Sequence, residues 1–399
     1  MNGKNLKAML IYNKAWIDNL EIQKQSAKWL KKNFITKEEH ENVKREYATG
    51  YHESNFIIRA GIFIFSLIVI FSATGLVSLF TMRGNAIGIE SLLFGIATAF
   101  IAMHFIQTRN YFRSGVIDAL LYFSVLSFSF GICILISGND FDFNLDPVIY
   151  FVAILPFAAF IAVRFADAFV ALIVYALLFV INALLVLKFG SIGKMILPFE
   201  AIAISFVAYK WLDSRKNVEA YKYWHNLVAT LRAATLATFY LSGNYLVVRE
   251  LSEELLKTTI APGQDISLSL FFYAWTIIVP ILFIVYGLKQ KDSLIIRVGI
   301  LMEVVGILSI RYYYSVLPLE SALILAGIFL VLLARLSMHY LREPRSGITY
   351  LEETEDDDEL MTAIGSTVVS HVTGKAIHQE EPGKFGGGQS GGGGAGGGF

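Results

Sequence analysis

Apolar residues along this chain come in runs of about 20 with few charges, the length a helix needs to cross a hydrocarbon core roughly 30 Å thick. The runs do not alternate apolar and polar positions, as the strands of a membrane barrel would. Ten are legible, at 57–80, 86–106, 115–137, 147–163, 167–187, 195–212, 227–248, 268–287, 293–312 and 319–337. They predict an all-α fold, a polytopic transmembrane helical bundle of about ten spans. The seventh is the weakest, because Arg232, Ser242 and Asn244 dilute it, so counts of eight or nine are the alternatives.

The chain on either side of these runs is polar. In residues 1–56, Ile22, Leu30 and Phe34, with Ala27 and Trp29, predict an amphipathic helix that stops near Asn33. Thr36 then opens a second helix, and Glu39 three residues later completes a capping box. The expected organisation is a cytosolic helical hairpin (1–56), a helical bundle (57–338) and a tail (339–399). The tail is acidic and then Gly-rich, and it buries too little apolar surface to offset chain entropy, so disorder is expected there. The longest apolar stretch at the N-terminus, 8–12, is too short for a signal peptide core, so the first span is expected to act as its own insertion signal.

Loop charges orient the bundle, because Lys and Arg concentrate on the cytoplasmic side. With the N-terminus inside, the inner loops hold Arg109 and Arg113, Arg164, Arg215, Lys216 and Lys222, then Lys289 and Lys291. The loop at 138–146, with three Asp and no base, and the net acidic stretch 249–267 fall outside; Lys188 and Lys194 dissent. Omitting the seventh span would move Lys289, Lys291 and the C-terminus outside. Both termini are therefore expected in the cytoplasm.

Composition agrees with that reading and excludes several functions. Apolar residues make up 55% of the chain and charged residues 17%, below the roughly 25% of soluble domains. A formal net charge of zero implies no nucleic-acid partner, leaving the lipid bilayer as the expected environment. Cys133 is the only cysteine, which excludes an intramolecular disulfide or a cysteine metal cluster. No phosphate-binding loop, zinc-protease helix, Gly-x-Ser-x-Gly elbow or dinucleotide fingerprint is present. The alternating acids Asp140, Asp142 and Asp146 lack the Gly and Glu of a calcium loop and read as an acidic exterior loop. No metal, no cofactor and no catalytic set is expected.

Polar groups inside the spans remain as candidates for chemistry. A charge at mid-bilayer costs roughly 3 kcal/mol on insertion scales, so it marks a functional position by default. Glu303 sits ten residues into the ninth span, whereas most other charges lie near helix ends and snorkel. It reads either as a proton- or cation-binding carboxylate or as a structural glutamate bonded to a neighbouring helix. Glu200 lies about five residues inside the sixth span, and Glu90 lies at a similar depth in the second. Thr235, Thr238 and Ser242 share one face of the seventh span with Arg232 a turn earlier, a stripe that should face protein, either as interhelical glue or along a route. Pro156 and Pro280 fall mid-span and free backbone carbonyls.

The segment Lys28-Trp29-Leu30-Lys31-Lys32-Asn33-Phe34-Ile35-Thr36-Lys37-Glu38-Glu39 resembles a group of uncharacterised bacterial multi-pass membrane proteins. In that group a Trp, a polar turn and Ile-Thr/Ser precede an acidic helix start in a short N-terminal cytosolic segment. The resemblance covers about a tenth of the chain and implies a bacterial inner-membrane location, with no activity and no functional residues to carry over. Two functions therefore stand side by side. One is a secondary transporter or channel-like protein for a small solute or ion, with Glu303 as the site and the seventh-span stripe lining the route. The other is a non-transporting scaffold or sensor whose N-terminal hairpin or tail engages a cytosolic protein partner.

Overall fold

The computed structural model describes residues 9–51, 56–81, 86–138, 146–256 and 265–313, with scattered positions between 321 and 339. Regular structure among them is helical. Two polar helices come first, α1 (Lys14–Lys31) and α2 (Lys37–Glu46). The long apolar helices come next as α3 (Phe56–Thr81), α4 (Ala86–Arg109), α5 (Gly115–Ser137), α6 (Pro147–Phe165), α7 (Ala168–Leu187) and α8 (Gly190–Asp213). A short 3-10 turn (Glu219–Trp224) leads into α9 (His225–Gly243) and α10 (Tyr245–Leu256), and α11 (Ser269–Gln290) and α12 (Ser293–Tyr313) complete the described chain.

Helix starts obey local chemistry. Thr36 and Glu39 form the expected capping box: the Glu39 amide donates to Thr36 Oγ1 (3.2 Å) and the Thr36 amide donates to Glu39 Oε2 (2.7 Å). Those bonds hold the exposed Glu39 carboxyl below its ordinary value. Asn13, Ser114, Asp146 and Asp167 cap α1, α5, α6 and α7 in the same way, each accepting a first-turn amide.

Among the described residues, eight helices (α3–α8, α11 and α12) are long and apolar enough to cross a membrane. They expose Ile57, Phe65, Leu79, Phe100, Leu270 and Leu301, among many others. Water would not tolerate a surface of this kind at such extent, whereas lipid tails cover it at no cost. The chain is thus a membrane-embedded helical bundle.

Three expectations need correction, and others fall outside the described residues. The seventh run, read as one helix over 227–248, breaks at Asn244 into α9 and α10. Ser242-Gly243-Asn244 contains weak helix formers, and Asn244 caps α10. The sixth run begins earlier than 195, at Gly190. The stretch 249–267, expected as an outer loop, opens as helix, since α10 runs on to Leu256. The tenth run (319–337) and the tail (339–399) lie almost wholly outside the described residues, as does the acidic loop at 139–145.

Packing depends on small residues in one half and polar residues in the other. Helices α4 and α5 meet along Gly88, Ser91, Gly95 and Thr98 on one side and Ser124, Ser127 and Gly131 on the other. Ser124 Oγ donates to the Gly95 carbonyl (2.6 Å) and Ser127 Oγ to the Ser91 carbonyl (2.7 Å). Lipid tails offer no hydrophobic incentive for association, so close backbone approach and interhelical hydrogen bonds provide it. In the second half, α9 sits among α7, α8, α11 and α12. It is the least apolar of these helices because protein rather than lipid surrounds it.

The same contacts show how α9 runs. Near its start Arg232 meets Asp213 at the end of α8 and Asp292 just past the end of α11. Near its end Tyr240 meets Thr276 close to the start of α11. Its 19 residues rise about 28 Å. It therefore runs antiparallel to α11, and Ser242, which lines one cavity with Pro198 of α8, gives the same direction against α8.

One end of the bundle carries the N-terminal helices. Arg164 Nη1 donates to the Met9 carbonyl (2.7 Å), and the Ile11 amide to the Arg164 carbonyl (3.1 Å). Tyr12 and Tyr51 pack on Phe112 between α4 and α5. Lys222 pairs with Asp18 (2.9 Å) and Glu21 (3.3 Å), and Tyr223 donates to Asp18. Helices α1 and α2 pack on each other, with Ser26 Oγ and His40 Nδ1 sharing a buried hydrogen bond of 2.8 Å.

Candidate functional site

The six polar residues singled out from the sequence do not form one site. Arg232 belongs to a charge cluster, Glu303 is a lone carboxylate beside a helix break, and Thr238 and Ser242 lie in the wall of an apolar cavity, while Thr235 and Glu200 bond elsewhere.

Arg232 heads the first group. It is only 5% exposed, yet its Nη2 reaches Asp292 Oδ2 at 2.6 Å and Asp213 Oδ1 at 2.8 Å. Lys216 Nζ joins both acids at 3.0 Å, so two bases and two acids neutralise one another where α8, α9 and the α11–α12 turn meet. Burial alone would raise the Asp292 carboxyl, but the Arg232 and Lys216 hydrogen bonds outweigh it and hold that carboxyl below its ordinary value. Burial likewise lowers the Lys216 ammonium, and the two carboxylates reverse that and leave it raised. The sequence pattern puts Arg232 on the polar stripe and hides these partners, which lie 60 residues away at Asp292 and 19 at Asp213.

The rest of the stripe turns inward on its own helix. Thr235 is fully buried and donates to the Arg232 carbonyl (2.9 Å). Thr238 donates to the Ala234 carbonyl (2.7 Å) and shares a short hydrogen bond with Tyr175 of α7. Ser242 donates to the Thr238 carbonyl (2.7 Å). Glu200 does pair across helices, accepting from Asn182 Nδ2 at 2.7 Å, though its Oε2 is buried without a partner among the described residues. Glu90 accepts from Ser78 of α3 (2.7 Å).

The second group forms where α9 stops. Asn244 is fully buried and extended (φ −69°, ψ 129°). Its Oδ1 accepts from the Val247 amide (3.3 Å), which caps α10, and from Ser309 Oγ of α12 (3.2 Å); its Nδ2 donates to Tyr240 Oη (2.9 Å). Tyr240 in turn donates to the Thr276 carbonyl (3.3 Å). That carbonyl is an orphan by chemistry, since Pro280 four residues on has no N–H to offer it. Thr276 Oγ1 accepts the Tyr245 amide (2.9 Å), one of the first amides of α10. Side chains from α9, α11 and α12 thus satisfy the groups that the break exposes.

Glu303 stands just beside this network. It lies on α12 one turn before Gly306, whose missing side chain leaves room for the Tyr240 hydroxyl: a Cβ there would meet it at 2.9 Å. Glu303 interacts electrostatically with Tyr240, but its Oε2 is buried with no hydrogen-bond partner among the described residues. Sequence reasoning finds Glu303 and Pro280 separately and misses Tyr240, which fits against Gly306 of α12 and bonds the carbonyl that Pro280 orphans. The available signal was the spacing of Thr276 and Pro280.

A cavity of about 410 Å³ forms the third group, between α7, α8, α9 and α10. Thr238 and Ser242 lie in its wall among Phe179, Ala183, Leu241 and Val248. Comparisons of the chain with models of protein families, with curated proteins and with solved structures gave no match. The chemistry of these three places is therefore what bears on function.

Proposed function

We propose that this chain is a secondary transporter or channel-like protein for a small solute or ion, with Glu303 as its intramembrane binding group. One observation carries the reading: a buried carboxylate oxygen without a partner among the described residues, beside a helix broken at Asn244. Discontinuous helices inside a bundle are tolerated where they line a site, and a carboxylate there binds a proton or cation in place of its missing partner. The polar network around Asn244 keeps the break in place, so Glu303 is the group left to cycle.

The topology that goes with this reading has ten spans, α9 among them, and both termini in the cytoplasm of a bacterial inner membrane. Its support is the clustering of bases on the end that carries α1 and α2, namely Arg113, Arg164, Lys216, Lys222 and Lys291. At the other end the dissenting Lys188 is ion-paired with Asp146 and so adds little net charge. Antiparallel placement of α9 against α8 and α11 supports counting it as a span.

Water access to position 303 tests the proposal. In a Cys133→Ser background, Glu303→Cys should react with small hydrophilic thiosulfonates, while Leu301→Cys and Val305→Cys stay protected. Protection at 303, with Ser191→Cys reacting normally, would remove the hydrated site on which transport depends. In parallel, Glu303→Gln should fail to complement a deletion strain's growth or uptake defect.

A second reading, a scaffold or sensor with a cytosolic partner, is favoured by one feature. Phe34 (73% exposed) and Trp29 (43% exposed) stand open at the α1–α2 turn beside Lys32, whereas Tyr12 and Tyr51 of the same segment pack on the bundle. Joint replacement Trp29→Ala and Phe34→Ala leaves the packed residues untouched. It should abolish complementation with normal membrane abundance if a partner docks there; full complementation would sink this reading.

A further inference from the structure

The cavity between α7, α8, α9 and α10 is separate from Glu303, and its chemistry is of a different kind. Phe179, Leu187, Ala201 and Leu251 are typical of its walls, which are almost wholly carbon. The hydroxyls that do reach it are already committed to backbone: Thr238 to Ala234, Ser242 to Thr238, and Ser252 to the Val248 carbonyl (2.6 Å). Helix α10 turns Val247, Val248, Leu251 and Ser252 toward the cavity, which leaves Glu253 on its opposite side. The interior therefore asks for an apolar occupant.

The rim asks for something else. Lys194 lines the cavity and has no ion-pair partner among the described residues, unlike Lys188. It lies in the second turn of α8, which runs from Gly190. Pro198, also in the wall, has no N–H to give the Lys194 carbonyl, which leaves an acceptor at the same place. A base and a spare carbonyl in the wall of an apolar cavity match a phosphodiester with a hydroxyl-bearing headgroup on an acyl chain. Lys194 also explains itself this way, since it breaks the charge rule for its end of the bundle.

We propose that this cavity binds one acyl chain of an anionic glycerophospholipid, with its phosphodiester at Lys194. The volume of about 410 Å³ lies within the range of small-molecule sites. The proposal does not depend on the role of Glu303.

Native mass spectrometry of the delipidated full chain in detergent tests it, with phosphatidylglycerol and phosphatidylcholine of equal chain length as probes. Wild type should hold one phosphatidylglycerol about fivefold more tightly than phosphatidylcholine, the gain expected of one base facing an anionic headgroup. Lys194→Gln should bring the two lipids to equal affinity. Ala201→Leu, which fills the cavity, should weaken both. Because Ala201 is buried and that variant risks misfolding, Leu251→Asn, at a half-exposed wall position of α10, provides a second wall change with the same expected result. Equal affinity for the two lipids in wild type would overturn the proposal, as would an unchanged preference in Lys194→Gln. Displacement of phosphatidylglycerol by glycerol phosphate at comparable concentration would overturn it too, since that would mean a site for the anion without the chain.

Discussion

Replacing Arg232 by leucine should cost about 3 kcal/mol of stability, the lower end for breaking a buried ion pair. The change leaves Asp213 and Asp292 facing each other with Lys216 as their remaining base, on side chains 25% and 12% exposed. Retention of Lys216 and partial solvent access keep the cost from being larger. Three elements lose their common contact at once: the end of α8, the start of α9 and the α11–α12 turn. Cys133, half-buried in α5, serves as the reporter, because a thiol-reactive dye labels it faster once the bundle opens on heating. An unchanged melting temperature would mean that the cluster is a solvated accident of geometry.

The pH dependence of the same pair of proteins adds a signed check. The Asp292 carboxyl is held below its ordinary value, so its stabilising contribution is present above the unfolded-state pKa and is lost as pH falls through the folded one. Lys216 is raised, so its contribution is present below its unfolded-state pKa and is lost only as pH rises through its folded value, on the alkaline side. The stability gap between wild type and Arg232→Leu should therefore narrow on acidification below pH about 4, the ordinary range for a carboxylate. A gap that stayed constant down to that range would show that Asp292 is not what Arg232 holds.

A second large effect is expected from a single methyl group at Gly131. A Cβ there would lie 2.6 Å from the Leu92 amide nitrogen and 2.7 Å from the Gly88 carbonyl oxygen, both backbone atoms of α4 that cannot swing aside. Gly131→Ala must push α4 and α5 apart. That separation stretches the Ser124–Gly95 and Ser127–Ser91 hydrogen bonds, and the overpacking alone costs about 1–3 kcal/mol. Gly75→Ala is the matched control, since nothing lies within 4 Å of a Cβ on that part of α3. Relieved of a glycine in mid-helix, that variant should gain about 0.5–1 kcal/mol. Opposite signs in the two melting shifts are the expected result, and equal shifts would mean that helix propensity rather than interhelical approach governs both.

Much of the architecture was legible because it is local. A run of apolar residues long enough to span lipid needs no knowledge of its neighbours, so α3–α7, α11 and α12 stand where the pattern put them, and α8 differs only in starting a turn earlier. The Thr36–Glu39 capping box involves residues three apart, and it formed as expected. Position 303 stood out for the same reason: a carboxylate in the middle of an apolar run is costly whatever surrounds it.

Everything that depended on which helices meet was hidden. Gly88, Gly95 and Gly131 carry their small-residue spacing openly, but nothing in either run says that α4 and α5 are the pair. Arg232 looked like part of a threonine stripe because the acids that claim it belong to other elements. The break at Asn244 is signalled weakly by Gly243-Asn244, yet it survives only because Tyr240, Thr276 and Ser309 satisfy the backbone and side-chain groups around it. Hydropathy and short-range hydrogen bonding were enough to dictate the helical membrane class, the polar lead-in and the mid-span position of Glu303. Helix pairing alone settled that α9 is broken and enclosed, that its arginine closes a charge cluster, and that an apolar cavity opens at Lys194. The physical reason is that an unsatisfied polar group is paired by whatever chain the fold brings within about 3 Å of it.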